Sequence, residues 1–291
     1  MTSAPAGTNG RTTMIASDLD RTLIYSPSAL QLATTDETSP NLVSVEILEG
    51  RPHSFTSLTA TRRLAELARI ATFVPTTTRT MAQYQRVRFP GVTPKYAITS
   101  NGGHILVDGQ PDEAWHRSTE SAIAACDATL ADVKHELRAR SQEDWAIKRR
   151  VGDDLFCYIV VDLVRLPDGF IESWTQWCGE RGWKVSVQGR KIYAIPKPLS
   201  KERAVLAVAR RVGADHVVAA GDGALDSGFL MAADAGIRPP HGELAALGWE
   251  HPTVRIADRI GVLAADDITA WFAEQVQLAS SLFPAEVVAA Q

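Results

Sequence analysis

Two aspartates, Asp18 and Asp20, stand two residues apart behind an apolar lead-in of Met14, Ile15 and Ala16, and Thr22 follows two residues later. A short buried strand ending at Asp18 puts that carboxylate in the crevice at the carboxyl edge of a parallel sheet, where open α/β folds bind ligands. Alternation keeps Asp20 on the same side only while the backbone stays extended, whereas a tight turn brings both carboxylates to one point. One carboxylate can serve as a nucleophile that accepts a phosphoryl group. The other can carry a proton, because unequal surroundings drive the two pKa values apart. A hard cation such as Mg2+ relieves their repulsion through oxygen ligands. The competing reading is a surface turn with Ser17 or Asp18 as its cap, so the pair needs companions.

Three such companions lie far along the chain. Ile70 to Pro75 reads as a second short strand, running into Thr76-Thr77-Thr78-Arg79-Thr80. Hydroxyls beside an arginine suit phosphate oxygens, although any single threonine there could equally cap a helix. Ser200 caps a predicted helix over 201–212, which opens on Lys201. A strand over 216–220 leads into Gly221-Asp222-Gly223-Ala224-Leu225-Asp226, where glycines allow a sharp turn beside a metal. Phosphoryl transfer asks for this set. A dianionic phosphate repels a carboxylate nucleophile, and a cation with a lysine neutralises it, so catalysis is positioning plus charge stabilisation.

The elements that must position these groups can be read off the chain. Residues 43–50 alternate as a strand with a turn at Gly50-Arg51-Pro52, predicting a hairpin flap over the strand end that carries Asp18. Ser57 or Thr59 can cap a helix running to about Arg69. A third strand, 96–99, runs into Ser100-Asn101-Gly102-Gly103, followed by an apolar run at 104–107. From about Pro111 to Pro196 the texture changes: one long helix over 122–138, strands at 146–150 and 155–163, a helix over 170–179, and strands at 184–188 and 191–195. Helix-strand-strand twice over predicts a small separate α+β domain. Lys148-Arg149-Arg150 inside it reads as a solvated edge strand before it reads as an anion site. The α/β rhythm then returns, with a helix over 227–233, strands near 236–238 and 253–256, and a terminal helix over 267–278.

Composition bounds the classes. A chain of 291 residues suits two domains or one with a large insertion. It is 45% hydrophobic and 22% charged, as in soluble globular proteins. A net charge of −4 gives no electrostatic case for nucleic acid. Cys126, Cys157 and Cys178 form no C-x-x-C pair and read as buried reduced thiols of a cytoplasmic protein. The first 13 residues lack an apolar h-region and read as a flexible tail rather than a signal peptide. With no run of about 18 apolar residues, no membrane span is predicted.

On these motifs the chain resembles the phosphatases of the haloacid dehalogenase superfamily. Four motifs match in order across most of its length: Asp18-Leu19-Asp20-Arg21-Thr22, Thr77-Thr78-Arg79, Lys201 and Gly221 to Asp226. The run from Ile98 to Gly103 and the α+β insert are similar to the Cof-type and sucrose-phosphate-phosphatase-like branch. The resemblance implies a Rossmann-like parallel sheet core with helices on both faces, residues 1–111 and 193–291, and an inserted α+β cap, residues 112–192. It also implies a Mg2+-dependent phosphomonoester hydrolase that passes through an aspartyl-phosphate on a small phosphorylated metabolite, a sugar phosphate. Asp18 would be the nucleophile and a Mg2+ ligand. Asp20 would be the general acid/base, with its backbone carbonyl on the metal. Thr77 would hold the transferred phosphoryl group, and Lys201 would neutralise Asp18 and phosphate. Asp222 and Asp226 would complete the metal site, the latter directly or through water. Substrate contacts are expected from Arg79, Asn101 and Gly102; the cap, which should decide the substrate, offers generic polar candidates in Arg149, Arg150, Gln188, Arg190 and Lys191. Two positions depart from the pattern: Thr78 stands where this branch commonly has glycine, and Leu225 where asparagine often precedes the last aspartate. A phosphomutase and a non-catalytic binding protein are the alternatives. The intact set of Asp18, Asp20, Lys201 and Asp222 speaks against the second.

Overall fold

Strand β1 (Thr13–Ser17) is buried at every position, as expected of a strand covered on both faces. The computed structural model describes residues 12–32, 39–142 and 144–281, so most of the predicted N-terminal tail lies outside the described residues. A hairpin follows, β2 (Leu42–Leu48) and β3 (Arg51–Ser57), turning at Glu49 and Gly50, both at positive φ. Arg51 and Pro52, expected in the turn, begin the second strand. Ser57 accepts from Ala60 N–H (2.9 Å) and caps α1 (Leu58–Leu67). Next come β4 (Thr72–Pro75), the single turn α2 (Met81–Tyr84), and the antiparallel β5 (Tyr96–Thr99), β6 (His104–Val107) and β7 (Gln110–Pro111).

The long helix expected over 122–138 is two helices, α3 (Glu113–Ile123) and α4 (Leu130–Arg140). Asp112 caps the first, and a capping box between Thr129 and Asp132 starts the second. Then follow β8 (Ala146–Gly152), β9 (Phe156–Val161), α5 (Phe170–Gly179), β10 (Trp183–Gln188) and β11 (Lys191–Pro196). The remaining elements are α6 (Lys201–Val212), β12 (His216–Ala220), α7 (Ser227–Ala232), β13 (Ala235–Arg238), α8 (Glu243–Ala246), β14 (Val254–Ile256) and α9 (Leu263–Ser281).

The central sheet is parallel throughout, in the order β14-β13-β12-β1-β4. Strand alternation divides its two faces. Ile15, Phe73 and Val218 pack with α1 and α9, while Met14, Ala16, Val74 and Ala219 pack with α6 and α7. Helices thus cover both faces, as the sequence implied. Strand β5 stands outside this sheet and meets it through one parallel bridge, Thr76 with Ile98. A separate antiparallel sheet, β10-β11-β9-β8, buries Ile159, Ile192 and Cys157 with Val133, Leu137, Trp174 and Cys178 of α4 and α5. Helix α3 leans the other way. Its Trp115 packs in the cluster of α6 and donates Nε1–H to Gly102 O (2.9 Å). The chain leaves β1 for β4 on one side and later returns to β12 on the other, which makes the end of β1 the switch point where such sheets bind ligands.

Candidate active site

Asp18 follows the last residue of β1 and extends its pairing, donating N–H to Ala220 O (2.8 Å). Its Oδ1 accepts from Lys201 Nζ at 2.6 Å, and the same ammonium donates to Asp226 Oδ1 at 2.6 Å. Lys201 is 1% exposed. Burial alone lowers a lysine pKa, but the charges of Asp18 and Asp226 reverse this and hold Lys201 protonated. Burial raises Asp18 to about 7; Lys201 pulls it down, and Asp226 and Asp20 push it up. Burial, followed by the charges of Asp18 and Asp226, also raises Asp222 well above the carboxylate range.

Asp18, Asp222 and Asp226 each bring one oxygen to within 4.8 Å of the others. One ammonium and the distant Arg21, 3.7 Å from Asp222, are what neutralise them. A buried all-oxygen cluster with surplus negative charge fits a hard divalent cation such as Mg2+. The three carboxylates are not equivalent, however. Asp226 Oδ2 already accepts from Asp222 N–H (3.1 Å) and Gly223 N–H (2.8 Å), so this side chain ties the loop and Lys201 together. Gly221 is required for that: a Cβ there would lie 2.5 Å from Asp226 Cβ.

Asp20 is turned elsewhere. Arg21 takes positive φ, and the Asp20 carboxylate leaves the cluster for a two-point pair with Arg79, Nε to Oδ2 at 2.6 Å and Nη2 to Oδ1 at 2.8 Å. Desolvation opposes its charge, yet the Arg79 fork overcomes that and holds its pKa below the usual carboxylate value. Arg79 is itself gripped from the hairpin, Nη1 to Glu46 Oε2 at 2.8 Å. Glu46 is 1% exposed and also accepts from Ser54 Oγ (2.6 Å) and Arg86 Nε (3.0 Å). The expected flap is therefore in place, and it works through Glu46. Sequence reasoning missed Glu46, Ser54 and Arg86.

Thr77 lies beside Asp18 at the same sheet edge, since Thr76 N–H bonds Ser17 O (2.7 Å). The Thr77 hydroxyl oxygen accepts from Arg79 N–H (3.1 Å), leaving its proton to donate. Asn101 is fully buried and donates Nδ2–H to Leu199 O (2.9 Å), while Gly102, at φ +92, lies flush against the Ser200 carbonyl. Both brace the start of α6 behind Lys201. Thr78, at the position that departs from the pattern, is buried, and Leu225 packs into the cluster of the antiparallel sheet.

That sheet leans over the cluster. Glu243 bridges the two, its Oε2 accepting from Ala224 N–H and Ser186 Oγ (2.9 Å each) and its Oε1 from Val187 N–H (2.9 Å). Gln188 Nε2 reaches to within 3.0 Å of where a Gly223 Cβ would stand. Tyr193 is buried, and its phenol is pushed up by that burial and then by the charge of Asp20.

No family model and no curated protein matches the chain by sequence. Solved structures do match by shape. A sucrose-phosphatase from Synechocystis, in complex with sucrose and phosphate, aligns with a TM-score of 0.63 at 15% identity, covering 91% of this chain and 98% of that one. A subclass IIB sugar phosphatase of the haloacid dehalogenase superfamily gives 0.55 at 12% identity, covering 91% and 99%. The chain has the haloacid dehalogenase phosphatase fold. A phosphatase of the superfamily from Bacteroides thetaiotaomicron, at 0.53 and 14% identity over 94% and 98%, shares it. Within the haloacid dehalogenase fold of this chain, the described residues contain no helix long and apolar enough to cross a membrane.

Proposed function

We propose that this chain is a phosphomonoester hydrolase that works through Asp18 on a small phosphorylated metabolite, a sugar phosphate in the first instance. The observation that carries the reading is Lys201, buried and shared between Asp18 and Asp226 at the switch point of the sheet. A binding protein has no need of a buried ammonium that joins two buried carboxylates at the sheet edge. The sucrose-phosphatase and sugar phosphatase neighbours support the sugar phosphate class.

An Asp18 carboxylate oxygen attacks phosphorus, the ester P–O bond breaks, and the leaving oxygen takes a proton from Asp20. Water then attacks the aspartyl-phosphate, Asp20 takes a proton from it, and inorganic phosphate leaves as the Asp18 carboxylate is restored. Thr77 donates its free hydroxyl proton to the transferred group, and Lys201 balances charge on Asp18 and phosphate throughout. The pair with Arg79 keeps Asp20 ionised, so Asp20 first parts from Arg79 and takes a proton from solvent, gives it to the leaving oxygen, and is reprotonated by the attacking water. Asp18, Asp222 and Asp226, with the Asp20 backbone carbonyl, would hold Mg2+, which would screen the nucleophile from the phosphate dianion. Asn101 and Gly102 act through Lys201. Residues 112–192 serve as the cap, with α3 anchored to the core by Trp115.

The test is phosphate release by the purified protein from p-nitrophenyl phosphate and a panel of sugar phosphates, with Mg2+ present. Release that rises with Mg2+ is expected. No release from any member would overturn the reading, and transfer between substrate hydroxyls without release would make the protein a mutase.

A further inference from the structure

The strand register of the antiparallel sheet sorts its charged residues onto two faces. Lys148 pairs with Val160, Val160 with Lys191, and Lys191 with Gln188, forming one row across all four strands. Two residues along, Arg150, Tyr158, Tyr193 and Ser186 form the next row on the same face. The residues between them, Arg149, Ile159, Ile192 and Val187, look the other way, toward α4 and α5, and Arg149 donates to Ser141 Oγ (2.9 Å). The charge run at 148–150 is thus an edge strand, as its sequence suggested, yet alternation sends two of its three cations to one face.

That face looks down on the catalytic cluster. Gln188 closes on Gly223, Ser186 bonds Glu243 beside the metal loop, and the charge of Lys191 is felt at Asp20. Lys191 Nζ sits 5.8 Å above the Tyr158 ring, which packs on Tyr193 with ring centroids 5.0 Å apart. Among the described residues, Lys148, Arg150 and Lys191 form no ion pair with a carboxylate, and all three are exposed. Lys201 and the metal cluster already answer the phosphate itself. Three further cations, flanking an aromatic platform, have no partner in that account.

We propose that Lys148, Arg150 and Lys191 form a second anion subsite on the roof of the active site, so that the substrate is a phosphomonoester whose leaving group carries its own carboxylate or phosphate. Tyr158 and Tyr193 would pack against the carbon skeleton between the two anions. The inference rests on the hydrolase reading and narrows its substrate class.

Matched pairs of ligands test it. 6-Phosphogluconate differs from glucose 6-phosphate by a carboxylate, and fructose 1,6-bisphosphate from fructose 6-phosphate by a phosphate. With Mg2+ present, kcat/KM is expected to favour the anionic member of each pair by about 10-fold or more, the worth of one charge-assisted contact. Lys191→Gln and Arg150→Gln should each reduce that ratio, mainly through KM, while Arg149→Gln, on the opposite face, leaves it unchanged. A ratio near one in the wild type, or a ratio that Lys191→Gln and Arg150→Gln leave intact, overturns the subsite. Titrating the same ligands into Asp18→Asn keeps the two readings apart. Tighter binding of the anionic members there supports the subsite even if no turnover is found, and equal binding refutes it even if phosphate is released.

Discussion

Asp18 and Asp20 leave one turn for different partners, Asp18 for Lys201 and Asp20 for Arg79. That division assigns them different chemistry and different mutant phenotypes. Asp20→Asn removes the proposed proton carrier and keeps the backbone carbonyl, so turnover should fall about 10²–10⁴-fold with an unchanged Mg2+ requirement. With p-nitrophenyl phosphate, whose leaving oxygen needs little protonation, the first step should persist and the second stall. Stopped-flow measurement is then expected to show a burst of p-nitrophenol before slow release of phosphate. Simultaneous release of both, without a burst, would contradict the proton-carrier role. The meeting of Asp18, Lys201, Asp222 and Asp226 was legible in the sequence because each follows a strand or opens a helix at the same sheet edge. The Asp20–Arg79 pairing was not, because its geometry depends on how a distant hairpin presents Glu46.

At the scale of elements, that hairpin shows where pattern reading stops. Alternation through Val43, Val45 and Ile47 sends Glu46 to solvent, but register shifts on both sides of Glu46 turn it inward and leave Ile47 53% exposed. A bulge has no signature in a hydrophobic pattern, and it created a buried carboxylate that clamps Arg79. Helix starts were more legible where a cap was read, as at Ser57 and Ser200, and lost where one was overlooked, as at Asp112 and Thr129. Asp112 accepts from Trp115 N–H (2.9 Å) and pairs with Arg211 at 2.6 Å. The Trp115 bond first, then Arg211, hold its carboxyl below the usual aspartate value. Since the folded value is depressed, the charge stabilises the fold above the unfolded value and stops doing so as pH falls through the folded one. Asp112→Ala should cost about 0.5–2 kcal/mol in denaturant melts at neutral pH. Asp112→Asn keeps a cap without the charge, so its deficit should shrink as the medium is made more acid than pH 3.8. A deficit that stays constant down to full protonation would refute the charge contribution. Glu243 is the second element-scale device: Glu243→Ala should speed amide exchange at Val187 and Ala224, whose N–H groups it holds, and unchanged exchange would contradict the bridge.

For the whole molecule, residues from the two ends of the described chain, with the antiparallel sheet above them, enclose a negative cluster that folding alone leaves undercompensated. A ligand that binds the folded form alone stabilises it by mass action. Mg2+ should therefore raise the melting temperature of the wild type, and Asp222→Ala should lose most of that rise; a melting temperature indifferent to Mg2+ would remove the metal from the account. The alternation of apolar strands and capped helices on either side of the insert was legible, and the family resemblance implied helices on both faces of the sheet; the strand order became visible only in the structure. The facing of the antiparallel sheet toward the site was not legible either, because it is fixed by contacts such as Ser186 with Glu243 between residues far apart in sequence. The central claim is that Asp18 carries the phosphoryl group. Acid quenching of the Asp20→Asn protein during turnover of p-nitrophenyl phosphate, followed by peptide mass mapping, tests it most directly. A single phosphoryl group on Asp18, absent from Asp18→Asn, is predicted; phosphate released at the wild-type rate by Asp18→Asn, or a phosphoryl group mapped to any other residue, would contradict it.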